Sequence, residues 1–159
     1  MKVKVRKFVD YATLPEYGSA FAAGADLYAC LGDPHDDAFL CVIDPHKTAK
    51  IPTGITMEIP EGYFGAIFAR SGLALKRGLR PCNCVGVIDS DYRGEIIVAL
   101  HNDTNVQQDV MNGERIAQIV ILPYVQAEFV EAEWLSDTER GSGGFGSTGT
   151  TDIRSGAAS

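Results

Sequence analysis

The chain has 159 residues, 45% of them hydrophobic and 22% charged, which suits a single domain with a packed core. Its formal net charge of -7 argues against binding to a nucleic-acid polymer, because protein surfaces that bind one normally carry clustered Lys and Arg. No apolar run reaches the roughly 18 to 20 residues that span a bilayer, and the alternating N-terminus is unlike a signal peptide. We therefore expect a cytoplasmic protein with no membrane partner.

Alternating apolar residues predict short strands along most of the chain, since a period of two places every second side chain on one face. The alternating segments are 3–5, 51–59, 64–68 and 96–100. Turn-forming residues separate them at 60–62, 102–105 and 112–113. The pattern predicts an all-β sandwich or barrel.

Segment 32–37 is rich in acids and turn formers and predicts a loop without assigned chemistry. One short helix is predicted to run from Ser71, a favourable N-cap residue, to Arg77, with Gly78 closing it in the left-handed region. Segment 86–95 places Asp89 and Tyr92 at the tip of a predicted β-hairpin. Asp91, beside them, is interpreted as a turn former.

The four cysteines show no paired CxxC spacing, so buried reduced thiols are favoured over a zinc site. From Ser136 onward apolar periodicity is lost, and we predict one β domain over 1–135 and a flexible, glycine-rich arm over 136–159. Gly141, Gly143 and Gly146 match GxGxxG, but no strand precedes them and no helix follows, which excludes a Rossmann site. Glycine amides with nearby cationic, hydroxyl and aromatic side chains instead favour an arm that wraps a phosphate chain and caps a base.

Five blocks together resemble the trimeric dUTPase family. They are AGADLYA (23–29), ARSGLALKRGL (69–79), NCVGVIDSDYRGE (83–95), GERIAQIVI (113–121) and RGSGGFGSTG (140–149). The chain departs from the family pattern at Ala69, where proline is usual, in a longer loop over 31–41, and in ten residues after Gly149. None of these departures touches a residue with an expected chemical role.

The resemblance implies a homotrimer of distorted jelly-roll-like β-barrel or sandwich domains, with active sites shared between subunits. It implies hydrolysis of dUTP to dUMP and pyrophosphate, which keeps uracil out of DNA and supplies dUMP for thymidylate synthesis. Asp89 would be the general base that activates water for attack on the α-phosphorus. A magnesium ion would neutralise the pyrophosphate, and Asp26 would hold a magnesium-bound water, so that no side chain ligates the ion directly.

The same resemblance assigns the substrate contacts. Arg70, Ser71 and Gly72 would cradle phosphate at the start of the helix. Gln118 would position phosphate and water, whereas Arg115 is left open between such a role and a structural ion pair. Uracil would be read by the Asn83 side chain and the main chain around Val87, Ile88 and Ile97, while Tyr92 would pack beneath the deoxyribose and exclude a 2′-hydroxyl. From the arm, Phe145 would cover the base, and Arg140, Gly146, Ser147 and Thr148 would meet the phosphates.

Two alternative functions were weighed. A dCTP deaminase-like enzyme shares the fold, but the position matching its catalytic glutamate is Ala99, whose methyl group cannot transfer protons. A regulatory protein that retains the fold without turnover is less compatible with the presence of four residues, Asp89, Arg70, Gln118 and Phe145.

Overall fold

The computed structural model describes residues 1–33 and 40–144. The chain divides into two compact units, Met1–Val125 and Gln126–Ser159. In the described part of the second unit, 126–144, the backbone turns at 139–142 and forms neither helix nor strand. Within the described ranges, no helix has the length and apolarity that crossing a bilayer requires.

The first unit is built from short strands and one helix within the residues described. In chain order these are β1 (Lys4–Lys7), β2 (Glu16–Tyr17), β3 (Ala25–Tyr28), β4 (Leu40–Ile43), β5 (Thr48–Pro52), β6 (Ile55–Glu58), β7 (Tyr63–Phe68), α1 (Ser71–Arg77), β8 (Leu79–Pro81), β9 (Gly86–Ile88), β10 (Ile97–Asn102), β11 (Gln108–Met111) and β12 (Arg115–Pro123).

The strands pair antiparallel in four sheets, with orders β1-β6, β5-β10-β8, β11-β4 and β2-β3-β12-β7-β9. None of these sheets closes on itself within the described ranges. The predicted all-β class with one short helix is confirmed.

Alternating burial explains why these segments form strands. In β10, Val98, Leu100 and Asn102 are buried while the intervening residues are not, as a strand with one face on the core requires. The long alternating run at 51–59 is two strands, not one, because Gly54 turns the chain with φ 69 between β5 and β6. Only glycine adopts that conformation without strain.

The helix runs from Ser71 to Arg77 as predicted, but its N-cap lies one residue earlier than predicted. Arg70, with extended backbone, is the N-cap, and its carbonyl accepts the first helical bond from the Ala74 amide at 3.0 Å. Ser71 is therefore inside the helix, and the prediction that it caps the helix is wrong. Gly78 ends the helix at φ 62, as predicted.

Segment 86–95 is not a hairpin, which corrects the sequence prediction. β9 pairs with β7, whereas β10 pairs with β5 and β8, so the intervening loop passes from one sheet to another. Alternating apolar residues on both sides of a turn cannot distinguish this crossing from a hairpin, because both arrangements have the same local pattern.

The expectation of buried thiols is also wrong for half of the cysteines. All four are free, but Cys82 and Cys84 are exposed and only Cys30 and Cys41 are partly buried. The two exposed thiols lie in the link between β8 and β9, where the chain leaves one sheet for another and has no face against the core.

Candidate active site

A charged cluster joins three sequence blocks that are far apart in the chain. Asp26, only 8% exposed in β3, accepts a hydrogen bond from Arg70 Nε at 2.7 Å and one from Arg115 NH1 at 3.3 Å. Arg70 NH1 also donates to the Arg115 carbonyl oxygen at 3.3 Å. The two cations compensate a largely buried carboxylate, which otherwise would be costly to bury. Arg115 is thus an ion-pair partner within the fold.

A β-bulge brings Arg115 to this face of the sheet. In β12, Gln118 lies opposite Asp26 and Ala117 opposite Leu27, but Arg115 lies opposite Tyr28, so Ile116 is an additional residue. Residues three apart in an unbroken strand point to opposite faces. The extra residue shifts this alternation, and Arg115 and Gln118 both face Asp26.

Gln118 connects the cluster to the start of the helix. Its Nε2 donates to the Ala69 carbonyl oxygen at 2.9 Å, directly before Arg70. A Cβ on Gly24 would lie 2.5 Å from Gln118 Oε1, so this side chain occupies the space that the glycine leaves. The sequence offered Gly24 only as part of a block, and its packing role was missed.

Ser71 and Gly72 open α1 and are exposed. A Cβ added to Gly72 would meet no protein atom within 4 Å, and its φ is not in the left-handed region. Packing within the protein therefore does not require glycine at this position. A steric need for glycine here would have to come from a bound molecule that approaches the start of the helix.

The loop that follows β9 presents an unpaired carboxylate. Asp89 is exposed, and within the described ranges its carboxylate forms no hydrogen bond or ion pair. The loop turns back at once, since the Tyr92 amide donates to the Asp89 carbonyl oxygen at 3.2 Å. Arg93 NH1 donates to the Ser90 carbonyl oxygen at 2.6 Å and fixes the turn. Asp89 is thus held on an ordered turn with its carboxylate free.

Tyr92 is fixed by two neighbours that the sequence prediction did not include. Its hydroxyl donates to the Glu95 carbonyl oxygen at 3.0 Å, and a Cβ on Gly94 would lie 2.5 Å from Tyr92 Cζ. Gly94 thus leaves space for the ring. The Glu95 carboxylate in turn accepts the Gly54 amide at 2.8 Å, which attaches the loop to the β5–β6 turn.

The residues assigned to base recognition lie around the β8–β9 link. Val87 is 59% and Ile97 46% exposed, Ile88 is partly buried, and Asn83 is exposed within the link itself. β9 is an edge strand that pairs only with β7 within the described ranges, so its outer amide and carbonyl groups face no other strand. An edge of this kind presents main-chain donors and acceptors beside exposed apolar side chains.

The predicted site residues therefore form two groups in the described ranges. Asp26, Arg70, Ser71, Gly72 and Gln118 lie together at the junction of β3, β12 and α1. The second group follows the chain from the β8–β9 link through Asp89 and Tyr92 to the start of β10; its members are Asn83, Val87, Ile88, Asp89, Tyr92 and Ile97. No hydrogen bond or ion pair joins the two groups within 1–33 and 40–144.

Of the arm residues assigned to substrate contacts, only Arg140 lies within the described part of the chain. Arg140, in the second unit, donates from Nε to the Gly143 carbonyl oxygen at 2.9 Å. Phe145, Gly146, Ser147 and Thr148 lie outside the described residues.

Two groups at β3 have raised pKa values. Burial raises the pKa of the Tyr28 phenol, with further contributions from the carboxylates of Glu16 and Asp26. Burial likewise raises the pKa of the Cys30 thiol, and the charge of Glu95 adds to it. Both side chains therefore remain neutral near neutral pH.

The donor set does not fit a metal ion caged by protein ligands. Within the described ranges no three His, Cys, Asp or Glu side chains converge on a common point. Both Asp26 oxygens already accept bonds from arginines. Each carboxylate oxygen has a second lone pair, however, so Asp26 fits a contact with metal-bound water. Magnesium commonly retains several waters and binds largely through substrate phosphates.

Comparison with known proteins gives concordant results. The sequence model of a family described as dUTPase matches residues 10–149. The deoxyuridine 5′-triphosphate nucleotidohydrolase of Hydrogenobaculum sp. is 48% identical over 149 residues, covering 94% of this chain and 99% of the relative. A structure of Staphylococcus bacteriophage 80alpha dUTPase with dUPNHPP superposes with a TM-score of 0.81 at 28% identity, covering 94% of this chain and 99% of that chain. A mutant dUTPase from phage phi11 of S. aureus, in which a structural Mg(II) ion is coordinated, shares the fold with a TM-score of 0.72 at 24% identity, covering 84% of this chain and 98% of that chain.

Proposed function

Because the chain belongs to the dUTPase family and hydrolyses dUTP to dUMP and pyrophosphate, we propose that Asp89 is its general base and that the Asp26–Arg70–Gln118 cluster receives the triphosphate. The observation that carries this proposal is the convergence of Asp26, Arg70 and Gln118. They come from three separate blocks and meet beside the exposed start of α1.

The chemistry requires a water molecule oriented toward the α-phosphorus. Asp89 accepts a proton from that water as the new P–O bond forms, and the bond from the α-phosphorus to the bridging oxygen breaks, releasing pyrophosphate. An aspartate carboxylate is a weak base. Its contribution therefore depends on orientation, which the turn closed by Tyr92 and Arg93 supports.

The phosphate contacts follow from charge and access. Arg70 supplies a guanidinium, and Ser71 and Gly72 supply amides at a point where no protein atom obstructs approach. Gln118 holds the Ala69 carbonyl and so fixes the start of the helix relative to β12. Arg70 is partly neutralised by Asp26, and Arg115 allows Asp26 to remain compensated when phosphate takes a share of the Arg70 charge.

Magnesium is the proposed cofactor: it would enter with the triphosphate, and Asp26 would hold it through a bound water. When bound, it neutralises charge that develops on the leaving pyrophosphate. The protein's own part is to keep Asp26 buried and fixed between two arginines, so that its remaining lone pairs have a defined direction.

Base recognition is proposed at the outer edge of β9 and the start of β10. The main chain around Val87, Ile88 and Ile97, with the Asn83 side chain, would present donors to the uracil carbonyls and an acceptor to its ring N–H. Cytosine reverses two of these polarities and leaves buried groups unpaired at about 1 to 3 kcal/mol each. Tyr92 would exclude a 2′-hydroxyl, which its fixed position over Gly94 supports.

We propose a homotrimer in which neighbouring subunits complete each site. The resemblance of the chain's site blocks to the trimeric dUTPase family supports this arrangement. The arm beginning at 136, as a segment separate from the β domain of 1–135, would bring Arg140, Phe145, Gly146, Ser147 and Thr148 to a neighbour's site. A cytoplasmic location is supported by the four free cysteines, since thiols persist in reducing compartments.

One assay tests the function against its alternatives. The purified chain is incubated with magnesium and dUTP, dCTP or UTP, and both pyrophosphate and ammonia are measured. We expect pyrophosphate from dUTP alone; ammonia from dCTP would indicate a deaminase, and no product would indicate a regulatory protein. Asp89→Asn should abolish pyrophosphate release while dUTP still binds, with Asp91→Asn as the matched control. If Asp89→Asn retains turnover as Asp91→Asn does, Asp89 is not the base.

A further inference from the structure

Two of the four thiols lie next to Asn83, the side chain proposed to read uracil. Cys82 and Cys84 flank it directly, and both are exposed. Cys30 and Cys41 are partly buried and lie elsewhere, the first just after β3 and the second in β4. The most accessible thiols of the chain therefore lie beside the proposed base-recognition residue.

The link that carries these thiols leads from β8 into β9 and is hydrogen-bonded to β10, so it contacts both strands proposed to bind the base. The Cys82 amide donates to the Ala99 carbonyl oxygen of β10 at 2.8 Å, while the chain continues through Asn83 into β9. The Cys84 amide donates to the Pro81 carbonyl oxygen at 3.1 Å, and Cys84 has a φ of 63. This φ is in the left-handed region, which is unfavourable for a residue with a Cβ. A group attached to either sulfur would thus lie on a tight turn that includes Asn83.

One guanidinium is within electrostatic range of both sulfurs. The pKa of Arg80 is raised mainly by its hydrogen bonds to Asp103, and negative charge on the Cys84 and Cys82 sulfurs adds to this effect. Both sulfurs are therefore within electrostatic range of one guanidinium, which Asp103 holds in place through two hydrogen bonds.

We propose that Cys82 and Cys84 form a covalent modification site, at which a small disulfide blocks the base-recognition residues reversibly. The thiolate of either cysteine attacks one sulfur of the small disulfide, a new S–S bond forms to the protein, and the original S–S bond breaks. The other half leaves as a thiolate and takes a proton from water. Excess free thiol reverses the exchange. The inference rests on the proposed role of Asn83.

The test uses the full chain and glutathione disulfide as the probe. Turnover of dUTP by the untreated chain is measured first, so that failure of the proposed function is recognised before modification begins. Treatment is followed by peptide mass spectrometry and by kcat and KM for dUTP. We expect mixed disulfides on Cys82 or Cys84, a rise in KM of at least tenfold, and full recovery with dithiothreitol. A saturating nonhydrolysable dUTP analogue should slow the modification.

Matched variants separate these thiols from the others. The double variant Cys82→Ser, Cys84→Ser should be insensitive to glutathione disulfide, whereas Cys30→Ser, Cys41→Ser should remain as sensitive as the parent chain. The proposal is overturned if the first pair of substitutions leaves sensitivity intact, if no adduct forms on Cys82 or Cys84, or if a chain fully modified there keeps its KM.

Discussion

Replacement of Gly94 by alanine should weaken discrimination against UTP by displacing Tyr92. The added Cβ would lie 2.5 Å from Tyr92 Cζ and 2.9 Å from Cε2. Carbon atoms pack favourably at about 3.5 to 4.0 Å, so the ring must move by roughly 1 Å. Such a shift extends the 3.0 Å hydrogen bond from the Tyr92 hydroxyl to the Glu95 carbonyl oxygen beyond useful length.

Two consequences of Gly94→Ala differ in size. Loss of the exposed hydrogen bond should lower the free energy of unfolding by about 0.5 to 1.5 kcal/mol, which is a few degrees in Tm for a chain of this length. If the ring excludes a 2′-hydroxyl, its displacement should reduce the ratio of kcat/KM for dUTP over UTP by about tenfold or more, since 1.4 kcal/mol corresponds to tenfold.

The assay is steady-state pyrophosphate release from both nucleotides, with Tm measured by circular dichroism. Gly18→Ala is the matched control, because a Cβ there meets no atom within 4 Å, and it should change neither quantity. An unchanged dUTP to UTP ratio in Gly94→Ala, together with a lowered Tm, would refute the assignment of Tyr92 to sugar selection and leave it a packing role.

Three further changes test other parts of the structure. Gly72→Ala should keep or raise Tm, since alanine is favoured over glycine in a helix by about 1 kcal/mol, yet lower kcat/KM if phosphate approaches there; unchanged kinetics would contradict this. Arg115→Gln should cost about 1 to 3 kcal/mol in urea unfolding, because Asp26 keeps only Arg70, and Arg115→Lys should restore part of it. Burial disfavours the Cys30 thiolate and raises the pKa of this thiol above the ordinary 9.0. Iodoacetamide should therefore label Cys30 only at a higher pH than in the urea-unfolded chain. The stability linked to this shift is present below the pKa of the unfolded state and is lost as pH rises through the pKa of the folded state.

The sequence predicts the class of fold well, because the determining signals are local. Period-two burial and turn residues identify most strands, and the helix from Ser71 to Arg77 ends at the expected glycine. The errors concern pairing. A hairpin at 86–95 and a sheet-to-sheet crossing share the same alternating pattern, and only long-range contacts such as Ile96 to Ile55 distinguish them.

Prediction of the site shows the same division. Resemblance of short blocks supplies the candidates Asp26, Arg70 and Gln118, and the structure places them together. The resemblance does not identify the residues that hold these side chains in position. Gly24 and Gly94 matter because another side chain, Gln118 or Tyr92, fills the space at each, and such packing has no signature in a single sequence.

The additional residue at Ile116 also determines how a change in the length of β12 would affect the Asp26 cluster. From Ala117 to the end of the strand, the residues of β12 pair with β3 and β7 in regular register. Arg115 pairs with Tyr28 although it lies one position earlier in the chain than that register requires. Deleting Ile116 would restore regular pairing and place Arg115 two positions before Gln118, so both side chains would stay on the Asp26 face. Straightening the strand with Ile116 retained would instead turn Arg115 to the opposite face and remove its charge from the Asp26 cluster.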